Sequence, residues 1–120
     1  MRYQLPAILT AVAIYMLSDM PDIQGPDFGI RFSDKYSHLI AYAVFGWLIA
    51  RAFYFQDRYP VLREKWGRFT FITGSLYGIS DEVHQYFVPG RFADPLDALA
   101  DAAGVAIAVW IFSRFYFLRK

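Results

Sequence analysis

Apolar residues along this chain gather into four runs free of Asp, Glu, Lys and Arg, at 3–18, 36–50, 69–80 and 102–113. A helix half in water shows a polar stripe at every third or fourth position; here 69–78 and 102–112 are apolar or small all round the helical cylinder. Each run is shorter than the stretch of about 20 residues that crosses a bilayer. The deficit closes if the helices extend through ionisable residues at one end. These are Arg51 on the second, Asp81, Glu82 and His84 on the third, and Asp97 and Asp101 on the fourth. Polar groups so placed reach the interface or face a bundle interior. The pattern predicts an all-α fold, a four-helix transmembrane bundle forming one domain over 1–120, with spans at about 3–20, 34–55, 68–88 and 95–116.

The rival reading is a water-soluble four-helix bundle, because runs of about 10 to 14 apolar residues are more often core helices than spans. Composition weighs against it: 57% of the 120 residues are hydrophobic and 19% charged, with three Trp, nine Tyr and twelve Phe, more apolar surface than so small a soluble domain can hide. The first run, preceded by Arg2, has the length of a signal-peptide core, but 17–21 makes a poor cleavage site, so four retained helices are expected. A net charge of +1 shows no nucleic-acid footprint. The absence of cysteine excludes disulfides, thiolate catalysis and sulfur-ligated zinc.

Orientation follows from Lys and Arg. With both termini and the second connection in the cytoplasm, nine of the twelve lie there: Arg2, Arg51, Arg58, Arg63, Lys65, Arg68, Arg114, Arg119 and Lys120. The first and third connections then face outward, as expected of a multi-pass membrane protein. Tyr15, Tyr54, Phe55, Tyr59, Trp66, Trp110 and Tyr116 read as interfacial aromatics and packing, with no cofactor implied.

The chemistry collects at that outer face. On the second helix Asp34, His38 and Ala41 or Phe45 share a side. On the third, Gly74, Tyr77, Gly78, Asp81, His84 and Gln85 share a broad sector, with Glu82 off its edge. On the fourth, Asp97 and Asp101 are continued by Gly104 and Ala108, so small-residue seams on both helices are free to approach closely. Between them Pro89-Gly90 marks a reversal, and Asp94 before Pro95 reads as an N-cap. Counted with neutral histidines, Asp34, Asp81, Glu82, Asp94, Asp97 and Asp101 against Lys35 and Arg91 give this end a formal charge of −4. Two carboxylates about 4 Å apart repel by roughly 4 kcal/mol at an effective dielectric near 20, so such a cluster must spread, protonate or hold cations. Capping alone accounts for Asp34 and Asp94 as readily as function does; Asp101, nearly two turns inside its helix, and Asp81 with Glu82 are the harder residues to dismiss.

Three segments resemble the VanZ-like membrane proteins, a family named after a determinant of teicoplanin resistance. They are 34–38 (Asp-Lys-Tyr-Ser-His) with Tyr42 and Gly46, then 77–91 with its D-E-x-x-Q-x-F-x-P-G-R core, and 97–104. The resemblance implies a small polytopic bacterial membrane protein in which Asp34, Lys35, His38, Asp81, Glu82, Gln85, Arg91 and Asp97 match motif positions. Asp101 departs from the pattern, where Asn is common. The family brings no settled reaction.

The preferred expectation is an enzyme or ligand site at the outer leaflet. Asp97, Asp101, Asp81 and Glu82 hold a divalent cation, with Mg²⁺ the default for carboxylates and water. His38, Asp81, Glu82 and Asp97 are the candidate catalytic groups, while Lys35, Gln85 and Arg91 bind a phosphorylated lipid or cell-wall precursor headgroup. Two alternatives stay open: a proton- or ion-linked transporter or lipid binder, and a non-catalytic structural protein whose polar residues hydrogen-bond helix to helix. The partner expected in every case is membrane lipid, not nucleic acid.

Overall fold

The computed structural model describes residues 2–19, 32–89 and 95–117. It contains α1 (Gln4–Asp19), α2 (Phe32–Tyr54), α3 (Pro60–Glu64), α4 (Trp66–Tyr86) and α5 (Pro95–Phe117), with no strand among the described residues. The four long helices run through the ionisable residues at their ends. The fifth, α3, is a single turn inside what the sequence reads as a connection. Pro60 starts it, because a proline at the first helical position loses no hydrogen bond. Gln56 braces its approach, accepting from the Tyr59 amide at 2.8 Å and donating to the Tyr59 carbonyl at 2.7 Å. Lys65 ends α3 and opens α4 in one non-helical residue, φ −109° and ψ 35°.

Helices α2, α4 and α5 form the core, and α1 lies outside against α2 and α4. The most intimate pair is α2 with α5, and glycine is the reason. A Cβ on Gly46 would sit 3.0 Å from both Ala108 Cβ and Val105 Cα, and one on Gly104 would collide with the Leu39 carbonyl oxygen. Across the other face of α5, a Cβ on Gly74 would meet Val105 Cγ2 at 2.6 Å and one on Gly78 would meet Asp101 Cβ at 2.9 Å. The two small-residue seams therefore do not simply face each other: α4 presents its glycines to Val105 and Asp101, while α5 turns Gly104 toward α2. Helix α1 is tethered by the Tyr77 hydroxyl, which donates to the Ala11 carbonyl, and by Gln4, which donates to the Ala52 carbonyl at 3.2 Å.

One end of the bundle is aromatic and basic. Buried Phe112 has Trp47, Trp66, Tyr54 and Tyr116 around it at centroid distances of 4.4–5.6 Å, while Arg51 lies over the Tyr3 ring and Arg114 over Trp110. The outward faces are greasy along their length, with Leu9, Met16, Ile40, Leu76, Ile79, Leu99 and Trp110 all exposed. Among the described residues one helix, Pro95–Tyr116, is long and apolar enough to cross a membrane, and Gln4–Leu17 is apolar but shorter. The sequence reading expects four such helices. On α2 and α4 the polar residues that form the inward cluster lower the hydropathy of helices whose outer faces remain apolar.

Candidate polar site between α2, α4 and α5

The polar cluster lies at the end away from the aromatic rings. His38 is six residues into α2, Asp101 six residues into α5, and Asp81 five residues before the end of α4, each roughly 8–9 Å from its helix terminus. Helical spacing sets the faces. His38 and Tyr42 are one turn apart on α2, Asp81 and Gln85 on α4, and Asp97 and Asp101 on α5. Because Gly78 lets α4 rest against Asp101, and Gly104 lets α5 rest against α2, the three faces close on one another.

At the centre, His38 Nδ1 donates to Asp101 Oδ1 at 2.8 Å, and His38 Nε2 faces Asp97 Oδ2 at 3.9 Å. Asp81 Oδ2 accepts from the Tyr42 hydroxyl at 3.3 Å and from Gln85 Nε2 at 3.4 Å. Asp101 is 0% exposed, Gln85 and Tyr42 1%, Asp97 2%; Asp81 and Glu82 are also buried. One nitrogen or oxygen from each of His38, Asp81, Glu82 and Asp101 lies within 4.8 Å of every other. Asp101 Oδ2, buried and turned toward the α4 backbone at Gly78, meets no hydrogen-bond donor among the described residues.

Of the residues the sequence singles out, the fold brings together His38, Asp81, Glu82, Gln85, Asp97 and Asp101. Glu82, which helical geometry places at the edge of the α4 sector, is nonetheless buried and joins the cluster. Asp97 approaches through His38 and is not one of the four groups whose ligand atoms converge. Gln85 holds Asp81 rather than standing alone, and His84 turns toward α1, where its ring stacks on Tyr15 at 4.6 Å. The side chains of Asp34 and Lys35, and residues Arg91 and Asp94, lie outside the described residues. Tyr42 is the member that reasoning from charge misses; its signal is the four-residue spacing from His38. A cavity of about 440 Å³ opens at the other end among Tyr54, Trp66, Tyr116 and the exposed Arg63–Asp57 pair. The buried convergent groups lie elsewhere.

The family model described as VanZ/LLP1 matches residues 5–118. The chain belongs to the VanZ/LLP1 family. No curated protein and no solved structure matches it. In this VanZ/LLP1 protein, five of the eight positions that carry the motif resemblance, His38, Asp81, Glu82, Gln85 and Asp97, lie in one three-helix cluster. Asp101, the departure from the motif, is joined to His38 at 2.8 Å within it.

That packing gives a first expected result. Gly78→Ala places a methyl 3.1 Å from Asp101 Oδ2 and 2.9 Å from Asp101 Cβ, so the carboxylate must turn or α4 must withdraw. Stability should fall by about 1–2 kcal/mol in a detergent melt.

Proposed function

We propose that this VanZ/LLP1 protein crosses the bacterial cytoplasmic membrane with its four long helices, both termini in the cytoplasm, and that its polar cluster binds a divalent cation beneath the outer face. The observation that carries this reading is the meeting of ligand atoms from His38, Asp81, Glu82 and Asp101 within 4.8 Å, with Asp101 Oδ2 buried and given no donor by the described residues. Buried ionisable groups among membrane helices mark functional sites by default, since burying them without a partner costs several kcal/mol. With His38 Nδ1 as ligand the ring proton would sit on Nε2, which faces Asp97 Oδ2 at 3.9 Å, and a small approach of that carboxylate would hold the metal-bound imidazole from behind. Tyr42 and Gln85 do the same for Asp81.

A cation so held would polarise an oxygen of a phosphorylated lipid or cell-wall precursor headgroup reaching the outer end of the bundle, with Lys35 and Arg91 supplying positive charge from the adjoining connections. Such a headgroup would also be the link to glycopeptide (teicoplanin) resistance. The membrane reading draws support from the exposed apolar faces and from the basic, aromatic character of the opposite end.

Two measurements test the proposal. The chain has no cysteine, so single substitutions label cleanly. Arg58→Cys should react with an impermeant maleimide only from the cytoplasm and Arg91→Cys only from outside; the reverse pattern overturns the orientation. Titrating Mg²⁺, Mn²⁺ and Zn²⁺ into chelator-treated protein in detergent should show one saturable site that raises the unfolding midpoint. If no ion binds, the cluster serves only to join helices.

A further inference from the structure

Resting on the cation reading above, we infer that the site selects Zn²⁺ over Mg²⁺. The donor set is mixed: one imidazole nitrogen, from His38, with carboxylate oxygens from Asp81, Glu82 and Asp101. Imidazole suits Zn²⁺, whereas Mg²⁺ is bound by oxygen donors, keeps several waters, and takes only one or two carboxylates from a protein.

The surroundings point the same way. Asp81 Oδ2 accepts from both Tyr42 and Gln85, which fixes the orientation of its carboxylate within the cluster. Asp101 has Oδ1 against His38, with Oδ2 meeting no donor among the described residues. Gly78 packs so closely on Asp101 that a methyl group has no room between them, so α4 closes that side of the cluster. Four protein donors and burial between close-packed helices suit tetrahedral coordination and work against the octahedral, partly hydrated geometry of Mg²⁺. Tetrahedral Zn²⁺ sets its ligand atoms about 3.3 Å apart. The four ligand atoms already lie within 4.8 Å of one another, so a contraction of about 1.5 Å at the widest pair reaches that spacing.

The test uses the full chain purified in detergent and stripped with a chelator. Zn²⁺ affinity is read by competition with a chromophoric chelator, Mg²⁺ affinity by calorimetry, and the ligands by Zn K-edge absorption. One equivalent of Zn²⁺ is expected to bind at least about 1,000-fold more tightly than Mg²⁺, in line with the order of affinities for a nitrogen-containing site. The spectrum should carry imidazole scattering, retained in His84→Gln and lost in His38→Asp. His38→Asp, which turns the donor set to oxygen alone, should cut the preference for Zn²⁺ by about 100-fold; should that variant fail to fold, the wild-type ratio and the His84→Gln spectrum still decide. Equal affinity for the two ions, or a spectrum with oxygen ligands only, overturns the selectivity and leaves the cation site standing. Failure of every ion to bind overturns both.

Discussion

Gly104→Ala is expected to be the most destabilising single methyl that can be added to this protein, costing about 3 kcal/mol in a thermal or denaturant melt in detergent. The added carbon would collide with the Leu39 carbonyl oxygen, lie 3.0 Å from the Ala43 amide nitrogen and 3.2 Å from Tyr42 Cβ. Two of those three atoms are α2 backbone, which cannot rotate out of the way as a side chain can. The remedy left is to move α2 bodily from α5, and Leu39 and Tyr42 lie within about one turn of His38 on α2. Stability and site geometry should therefore fall together, with cation affinity dropping at least about tenfold as the His38–Asp101 pair at 2.8 Å opens. Gly67→Ala is the matched control. Its Cβ would meet only Val109 Cγ1 at 3.4 Å, an ordinary contact, and alanine is the better helix former, so the melt should be unchanged or raised by up to about 1 kcal/mol. If the two variants melt alike, the close α2–α5 approach is not what holds the core.

Why some of this was legible in the sequence and some not follows from the kind of information each feature needs. The four long helices come from runs such as 102–113, whose apolarity is a local property. The convergence of His38, Asp81 and Asp101 was legible because charge on otherwise apolar helices must turn inward, whatever the partner helix is. Which seam meets which helix was not legible. Gly104 sits one turn beyond Asp101, as Gly78 sits one turn before Gln85's neighbour Asp81, and a wheel drawn for either helix cannot say that one faces α2 and the other α5. Glu82 shows the same limit, since a residue at the edge of one sector is buried once the neighbouring helices close on the cluster. Helix α3 escaped because a single turn has too few residues for periodicity to register, and only Pro60 announces it. The partition between Asp97 and Asp101 depends on one imidazole having two nitrogens that face opposite ways, a fact of three dimensions that no spacing along α5 encodes.

Asp101→Asn tests that partition most sharply. The exchange should abolish cation binding, weakening it by at least about 100-fold, while leaving the cation-free protein as stable as wild type or more so. The two halves of the prediction come from the two oxygens. Asparagine keeps a carbonyl oxygen where Oδ1 accepts from His38 Nδ1, so the 2.8 Å link between α2 and α5 survives. It replaces Oδ2, the buried atom without a donor among the described residues, with an amide that has the carboxylates of Asp81 and Glu82 within 4.8 Å of the same group to donate to. One anion fewer also relieves repulsion among Asp81, Asp97 and Asp101. A neutral amide is a far poorer ligand than a carboxylate, so the gain in the cation-free state and the loss of the cation have one cause. Asp101→Ala separates this from mere packing, because it strips the acceptor from His38 and should cost about 1–3 kcal/mol. Asp97→Asn, which alters only the group behind His38 Nε2, should weaken binding by about 10-fold. Wild-type affinity in Asp101→Asn would remove Asp101 from the ligand set, and a loss of folding in that variant would make the His38–Asp101 charge pair a structural requirement instead.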